Sequence, residues 1–196
     1  MHDTMYLTQA ELEAGLEAIR SSPKDEGRVE MIVRRPRTGE REILDCGQLD
    51  LVGGLVGDKW RIDSSSSTPD GSADPEAQLT IMNSRLIAVV AGTKDRWPLA
   101  GDQLYVDLDL SLANMPPGTR LAIGDALVEL TGKPHTGCGS FMRRYGRDAT
   151  KFVNSRVGRE LRLRGVHARV IKPGAIRLGD IARKLGRDNC ESCQRA

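Results

Sequence analysis

The residues best suited to chemistry lie in one run, Lys133-Pro134-His135-Thr136-Gly137-Cys138-Gly139-Ser140-Phe141-Met142-Arg143-Arg144. Cys138 stands between two glycines, which lack a Cβ and let a backbone approach a ligand closely. His135, Lys133, Arg143 and Arg144 surround it in sequence. Nearby cations favour the thiolate, and the thiolate is the form that attacks sulfur or binds metal. Such a group can take up a persulfide sulfur or ligate a soft metal. A free cysteine is also often a small buried packing residue.

His135 is suited to orienting the thiol, to acid–base work or to holding a phosphate. As a lone histidine it equally suits a hydrogen-bonded loop. His167 lies in a strand-like run and reads as structural, whereas His2 is terminal. Arg143 and Arg144 suit a clamp on phosphate or carboxylate. Adjacent helical residues diverge, so one of them faces the cysteine at most and the other is solvated. Asn83 and Arg85 follow a strand and are candidates for a pocket mouth, with Asn83 also fitting a helix cap. Cys190 and Cys193 form a lone C-x-x-C. A metal site usually needs a second pair, so these read as an oxidisable polar tail.

Elements must hold these residues in place. Thr8 and Glu11 make a capping box, with Leu7 and Leu12 as its staple, and Leu12, Leu16 and Ile19 follow at helical spacing. Residues 1–26 are therefore expected as a helical extension. Strands are expected at Arg28–Arg35, Arg41–Asp45, Gln78–Met82, Gln103–Val106, Thr119–Ile123, Ala126–Thr131 and Val166–Ile171, with a short helix at Ser84–Val90. Close-set short strands with turn signals point to a barrel or sandwich. Gly53–Lys59 is rich in glycine but lacks P-loop spacing, which excludes a nucleotide-triphosphate site there. Asp63–Pro75 is polar and expected as a surface loop. Beyond Cys138, Phe141, Tyr145, Ala149, Phe152, Val153, Val157 and Leu161 recur at the helical period, with splits expected at Gly146 and Gly158. The start of that helix near Ser140 places Cys138 at a helix N-terminus, whose partial positive charge stabilises an anion.

Composition sets the class. The chain has 196 residues, 39% of them hydrophobic and 29% charged, which fits one soluble globular domain. No apolar run reaches the ~20 residues of a membrane span, and Met1–Gln9 has no secretory signal pattern. The four cysteines are too few for a disulfide scaffold. A cytoplasmic location is expected. The net charge of +2 is strongly asymmetric: −9 over residues 1–132 and +11 over 133–196. The basic part suits an anionic small molecule or cofactor, and equally a solvated basic face. A non-catalytic basic barrel that binds nucleic acid or a protein is the alternative class. Nucleic acid is disfavoured, because only two Phe, two Trp and three Tyr are available as stacking platforms.

Three segments together resemble the MOSC domain family, named for the C-terminal domain of molybdenum cofactor sulfurase. They are Gly54-Leu55-Val56-Gly57-Asp58-Lys59; Gly101–Leu110 followed by Pro117–Gly124; and the cysteine run through Phe141 and Tyr145-Gly146. The likeness spans roughly residues 27–182, leaving 183–196 as a polar tail. It implies a closed, mostly antiparallel β-barrel of the pyruvate-kinase-barrel type, β-rich with short peripheral helices. It implies that Cys138 matches the family's functional cysteine, carrying sulfur for metal–sulfur centres or ligating the molybdenum of a bound pterin (molybdopterin). Molybdenum-bearing relatives reduce N-hydroxylated compounds. Cationic side chains hold the pterin phosphate there, and matching makes Lys133, His135 and Arg143 the candidates, with Arg85 behind them. No desulfurase domain precedes residue 27, so the expected sulfur donor is a separate cysteine desulfurase. Reducing electrons would come from a donor protein. The extra N-terminal barrel of reductase relatives is absent from residues 1–26.

Overall fold

The computed structural model describes residues 6–63 and 68–186. His2, the C-x-x-C pair and part of the serine run lie outside them. In chain order the helices are α1 (Gln9–Ala14), α2 (Leu16–Arg20), α3 (Ser84–Ala91), α4 (Gly139–Asn154) and α5 (Arg156–Glu160). The strands are β1 (Glu26–Arg34), β2 (Glu42–Leu44), β3 (Cys46–Asp50), β4 (Gly54–Leu55), β5 (Leu79–Asn83), β6 (Leu104–Val106), β7 (Arg120–Ile123), β8 (Ala126–Leu130), β9 (Val166–Lys172), β10 (Gly174–Arg177) and β11 (Ile181–Leu185).

Seven strands close into a barrel in the order β11-β7-β8-β9-β5-β6-β1, with β1 returning to β11. The seam pairs Glu26 with Arg183 and Arg28 with Ile181. β2 continues the far end of β1, and β3, β4 and β10 form a separate small sheet. The closed barrel expected from the sequence is thus what forms. β11 runs past the expected barrel end at residue 182 and carries Arg183 and Lys184 into the wall.

Every barrel pair is antiparallel except β5–β6, which is parallel. A parallel pair cannot be joined by a hairpin and needs a crossover. Here α3 and a 3-10 turn at Lys94–Ala100 supply it, and they deliver Gly101, Asp102 and Gln103 to the start of β6.

Alternation along the strands builds two cores. Val29, Ile32, Leu79, Ile81, Leu104 and Val106 point into the barrel with Leu121, Val128 and Ala168. Met31, Val33, Met82 and Tyr105 point outward, where Leu12, Leu86, Phe141, Tyr145 and Phe152 of the helices cover them. A register shift between Val29 and Met31 lets Val29 and Ile32 share the inner face despite their odd spacing.

The N-terminal capping box forms as expected, with Thr8 accepting from the Glu11 amide and Glu11 accepting from that of Thr8. In α4 the expected break at Gly146 is real: its φ of 90° interrupts the helix, and the Tyr6 ring lies 2.8 Å from where a Cβ would stand. The second break falls at Ser155, which caps α5, and not at Gly158. Gly158 sits inside α5, pressed against the Phe152 and Val153 carbonyls at 2.4 and 2.5 Å from its missing Cβ.

Candidate thiolate site

Cys138 is the residue from which α4 springs, in extended conformation at φ −105° and ψ 177°. Its side chain is exposed, so it is not a packing cysteine. The apolar stripe of Phe141, Tyr145, Ala149 and Phe152 fixes α4 against the barrel's outer face. The loop before it is clamped by Asn154, whose side chain accepts from the Gly137 amide at 2.9 Å and donates to its carbonyl at 3.0 Å. Burial alone would raise the Cys138 thiol. The backbone N–H groups of Phe141 and Ser140, followed by the Arg164 guanidinium, outweigh it and hold the thiol below its ordinary value. The sequence-based expectation of a favoured thiolate is therefore met in direction, with Arg164 as the acting cation.

Beneath the thiol loop lies a buried polar cluster. Asp102 is fully buried and takes a 2.7 Å hydrogen bond from Arg164 Nη1. Arg164 also donates to the Ala100 carbonyl at 3.0 Å and lies over the Phe141 ring at 5.1 Å. His135 Nδ1 approaches Asp102 Oδ1 at 3.7 Å, too far for a hydrogen bond. Burial first, then Arg164 and His167, hold the His135 imidazole well below its ordinary pKa and neutral. His167 stacks on His135 with ring centroids 4.4 Å apart. Burial, then Lys133 and Arg164, lower His167 to about 4. Four side-chain atoms here are buried without a hydrogen-bond partner: Asp102 Oδ1, His135 Nδ1, Arg164 Nε and His167 Nδ1. Buried polar atoms are normally paired, and these four lie together, with His135 Nδ1 facing Asp102 Oδ1 and its ring stacked on His167.

A cleft of about 530 Å³ opens beside this cluster, lined among others by Lys133, His135, Arg159 and Arg162. Lys133 is fixed there by an ion pair to Asp74. A larger cleft of about 610 Å³ between Ala113–Arg120 and Lys184–Gly186 holds no cysteine or histidine in its wall. Of the two, only the former has a histidine, His135, in its wall, and Cys138 lines neither. Among the described residues no group of three or more Cys, His, Asp or Glu could hold a metal ion unaided.

The expected site residues separate into two groups. Cys138 and His135 share Arg164 as a close charge, and Lys133 joins His135 in the cleft wall. Arg143 stays exposed over the first turn of α4, bonded to Ser140 Oγ at 2.9 Å. Arg144 is not simply solvated but donates to the Leu99 carbonyl at 2.5 Å. Arg85 and Asn83 line neither cleft and are engaged elsewhere, Asn83 as the helix cap that its position suits. Arg85 forms a two-point pair with Asp107 and binds Ser21 of the N-terminal extension. Asn83 caps α3 through Oδ1 and donates to Ser22 and to the Leu108 carbonyl, so its hydrogen-bonding capacity is filled. Asp102, Arg164, Arg159 and Arg162 were not expected, and His167 was expected only as a strand residue. Asp102 carried a signal, a carboxylate at the entrance of the apolar run Leu104–Val106.

A small closed barrel with an exposed thiol at a helix N-terminus is the class of protein that these elements define. The chain belongs to the MOSC domain family: residues 69–183 match the MOSC domain. Three solved structures share the fold. YuaD from Bacillus subtilis superposes with a TM-score of 0.55 at 16% identity, over 80% of this chain and 94% of its own. YiiM from Geobacillus stearothermophilus gives 0.54 at 14% identity, covering 82% and 76%. YiiM from Escherichia coli gives 0.51 at 18% identity, covering 82% and 70%. No curated protein matches the sequence significantly. No helix of the described residues is long and apolar enough to cross a membrane.

Proposed function

We propose that the protein works through the Cys138 thiolate in molybdenum-cofactor or metal–sulfur metabolism in the cytoplasm. The carrying observation is the exposed, acid-shifted Cys138 thiol, which shares Arg164 with the orphaned cluster of Asp102, His135 and His167. The residues present fit a pterin cofactor. A thiolate is a soft ligand suited to completing the coordination of molybdenum that its own cofactor already holds. Lys133, His135, Arg159 and Arg162 offer a cationic and hydrogen-bonding wall for an anionic tail. Molybdenum, when bound, supplies two-electron redox chemistry of the kind that reduces N-hydroxylated compounds. This chain's residues would bind and orient the cofactor and lower the pKa of the thiol, and electrons come from a donor protein.

Exposure of the sulfur favours a second use of the same thiolate. It can attack the outer sulfur of a persulfide on a separate cysteine desulfurase. The new S–S bond forms at Cys138, the donor's S–S bond breaks, and the donor leaves as its thiolate. Metal, pterin and persulfide analysis of protein purified from a molybdenum-replete host, beside Cys138→Ser, separates the two. Molybdenum lost in the variant supports ligation. A persulfide on Cys138 without molybdenum supports transfer. Neither, with a thiol of ordinary reactivity, overturns the reading.

A further inference from the structure

Four consecutive carbonyls at the end of the crossover turn each receive a different arginine. Arg41 donates to Pro98 at 3.2 Å, Arg144 to Leu99 at 2.5 Å, Arg164 to Ala100 at 3.0 Å and Arg35 to Gly101 at 2.8 Å. These arginines come from four separate places in the chain. The carbonyl end of a helical turn carries partial negative charge and attracts cations, which accounts for their gathering. It does not neutralise them.

The acids near this crown are few. Arg35 has a two-point pair with the buried Asp58, and Arg164 is paired with Asp102. Arg41 and Arg144 have no acidic partner among the described residues, and Arg96 adds a further cation by donating to the Arg144 carbonyl at 2.9 Å. Glu40 and Glu42, next to Arg41 in sequence, are engaged by Arg37 and Arg34. Two guanidinium charges are thus left over at one spot. Burial, then Arg144 and Arg35, lower the Arg41 pKa, which is the response of a cation crowded by its own kind.

The two unpaired groups converge on Gly101. Its φ is +90°, a conformation that favours glycine, and its missing Cβ would lie 3.9 Å from both Arg144 Nη1 and Arg41 Nη2. No other atom lies within 4 Å of that spot apart from Gly101 and its chain neighbours, so both guanidinium groups border it. Arg41 keeps Nη2 beyond its bonds to the Pro98 and Glu40 carbonyls, and Arg144 bonds Leu99 through Nη1 alone. A tetrahedral dianion uses such paired forks more fully than a carboxylate does, and its charge matches the local excess.

We propose that Arg41 and Arg144, on either side of Gly101, bind a dianionic phosphate monoester. The site is built from residues other than those lining the Lys133–His135 cleft. The test is calorimetric titration with inorganic phosphate and with phenyl phosphate, at ionic strength balanced with chloride. Saturable binding in the parent is expected, weakened roughly tenfold to a hundredfold in Arg41→Gln/Arg144→Gln. Should that variant fail to fold, the parent alone decides. Phosphate should move the side-chain Nε–Hε resonances of Arg41 and Arg144 and leave that of Arg156, a 90% exposed side chain, unmoved. Unchanged affinity in the folded variant, or still resonances in the parent, overturns the proposal. Loss of co-purifying pterin in the variant assigns the phosphate to the cofactor. Pterin content equal to the parent's, zero included, assigns it to a second molecule.

Discussion

Arg164 joins Asp102 at 2.7 Å with 7% of the arginine side chain and none of the aspartate exposed. The same guanidinium covers Phe141 in the first turn of the helix that Cys138 begins. One cation therefore pairs with a buried carboxylate and adds to the pull that the Phe141 and Ser140 N–H groups exert on the thiol.

Removing that cation should be costly. Arg164→Met leaves Asp102 buried without its counter-charge, and a loss of about 3–5 kcal/mol is expected in urea unfolding. The double change Arg164→Met/Asp102→Leu should recover most of it, because an apolar pair leaves no orphaned charge.

Cys138 should react as a thiolate at lower pH than a free cysteine. The rate of alkylation by iodoacetamide, followed against pH by mass spectrometry, should show a midpoint below that of a free thiol. Arg164→Gln should move the midpoint upward, and Cys138→Ser should abolish the modification. Equal midpoints in parent and Arg164→Gln would remove Arg164 from the account.

The stacked imidazoles predict an acid limb of stability. His167 is held at about 4, below the ordinary value of 6.5, so the unfolded chain takes up its proton first. Its contribution is complete above pH 6.5 and falls away down to about 4, a loss on the order of 3 kcal/mol. His135 shifts in the same direction. Asp102, raised by burial against the opposing pull of Arg164, acts in the contrary sense at the acid end. Melting temperature recorded across this range should drop toward acid, with a shallower slope in His167→Phe.

Asn154 is a positioning residue for the thiol loop. Asn154→Ala removes both hydrogen bonds to Gly137 and should cost about 1–3 kcal/mol. Hydrogen exchange at the Gly137 amide should accelerate, and the Cys138 alkylation midpoint should drift toward that of a free thiol as the loop loosens.

The strands were legible because they alternate and their turns are marked by glycine and proline, but this left barrel and sandwich open, and closure was implied only by the family resemblance. Thr8 with Glu11, and Phe141 through Phe152, announce helices by local chemistry alone. Cys138 was legible for the same reason, since its neighbours lie beside it in sequence. Asp102, Arg164 and His167 were not, because only the pairing of β5 with both β6 and β9 brings the residue before β6, the turn before β9 and β9 itself into one cluster. Asn83 was legible as a helix cap, and it is one; the type of Arg85 suits a ligand, but Asp107 already occupies it. Tertiary partners of this kind leave no mark in local spacing.

The seam of the barrel has a bearing on how the chain is made. Residues 26–28 find their partners at residues 181–183, so synthesis is almost through the described chain before the first strand can be covered on that edge. Until then β1 and β7 each present an unpaired strand edge, the surface most open to wrong association. Closure is a long-range event with a large loop to tie, and such events are slow. The protein should therefore be most vulnerable to aggregation and proteolysis while still attached to the ribosome, and a nick or deletion within Ile181–Leu185 should unseat the opposite end of the chain.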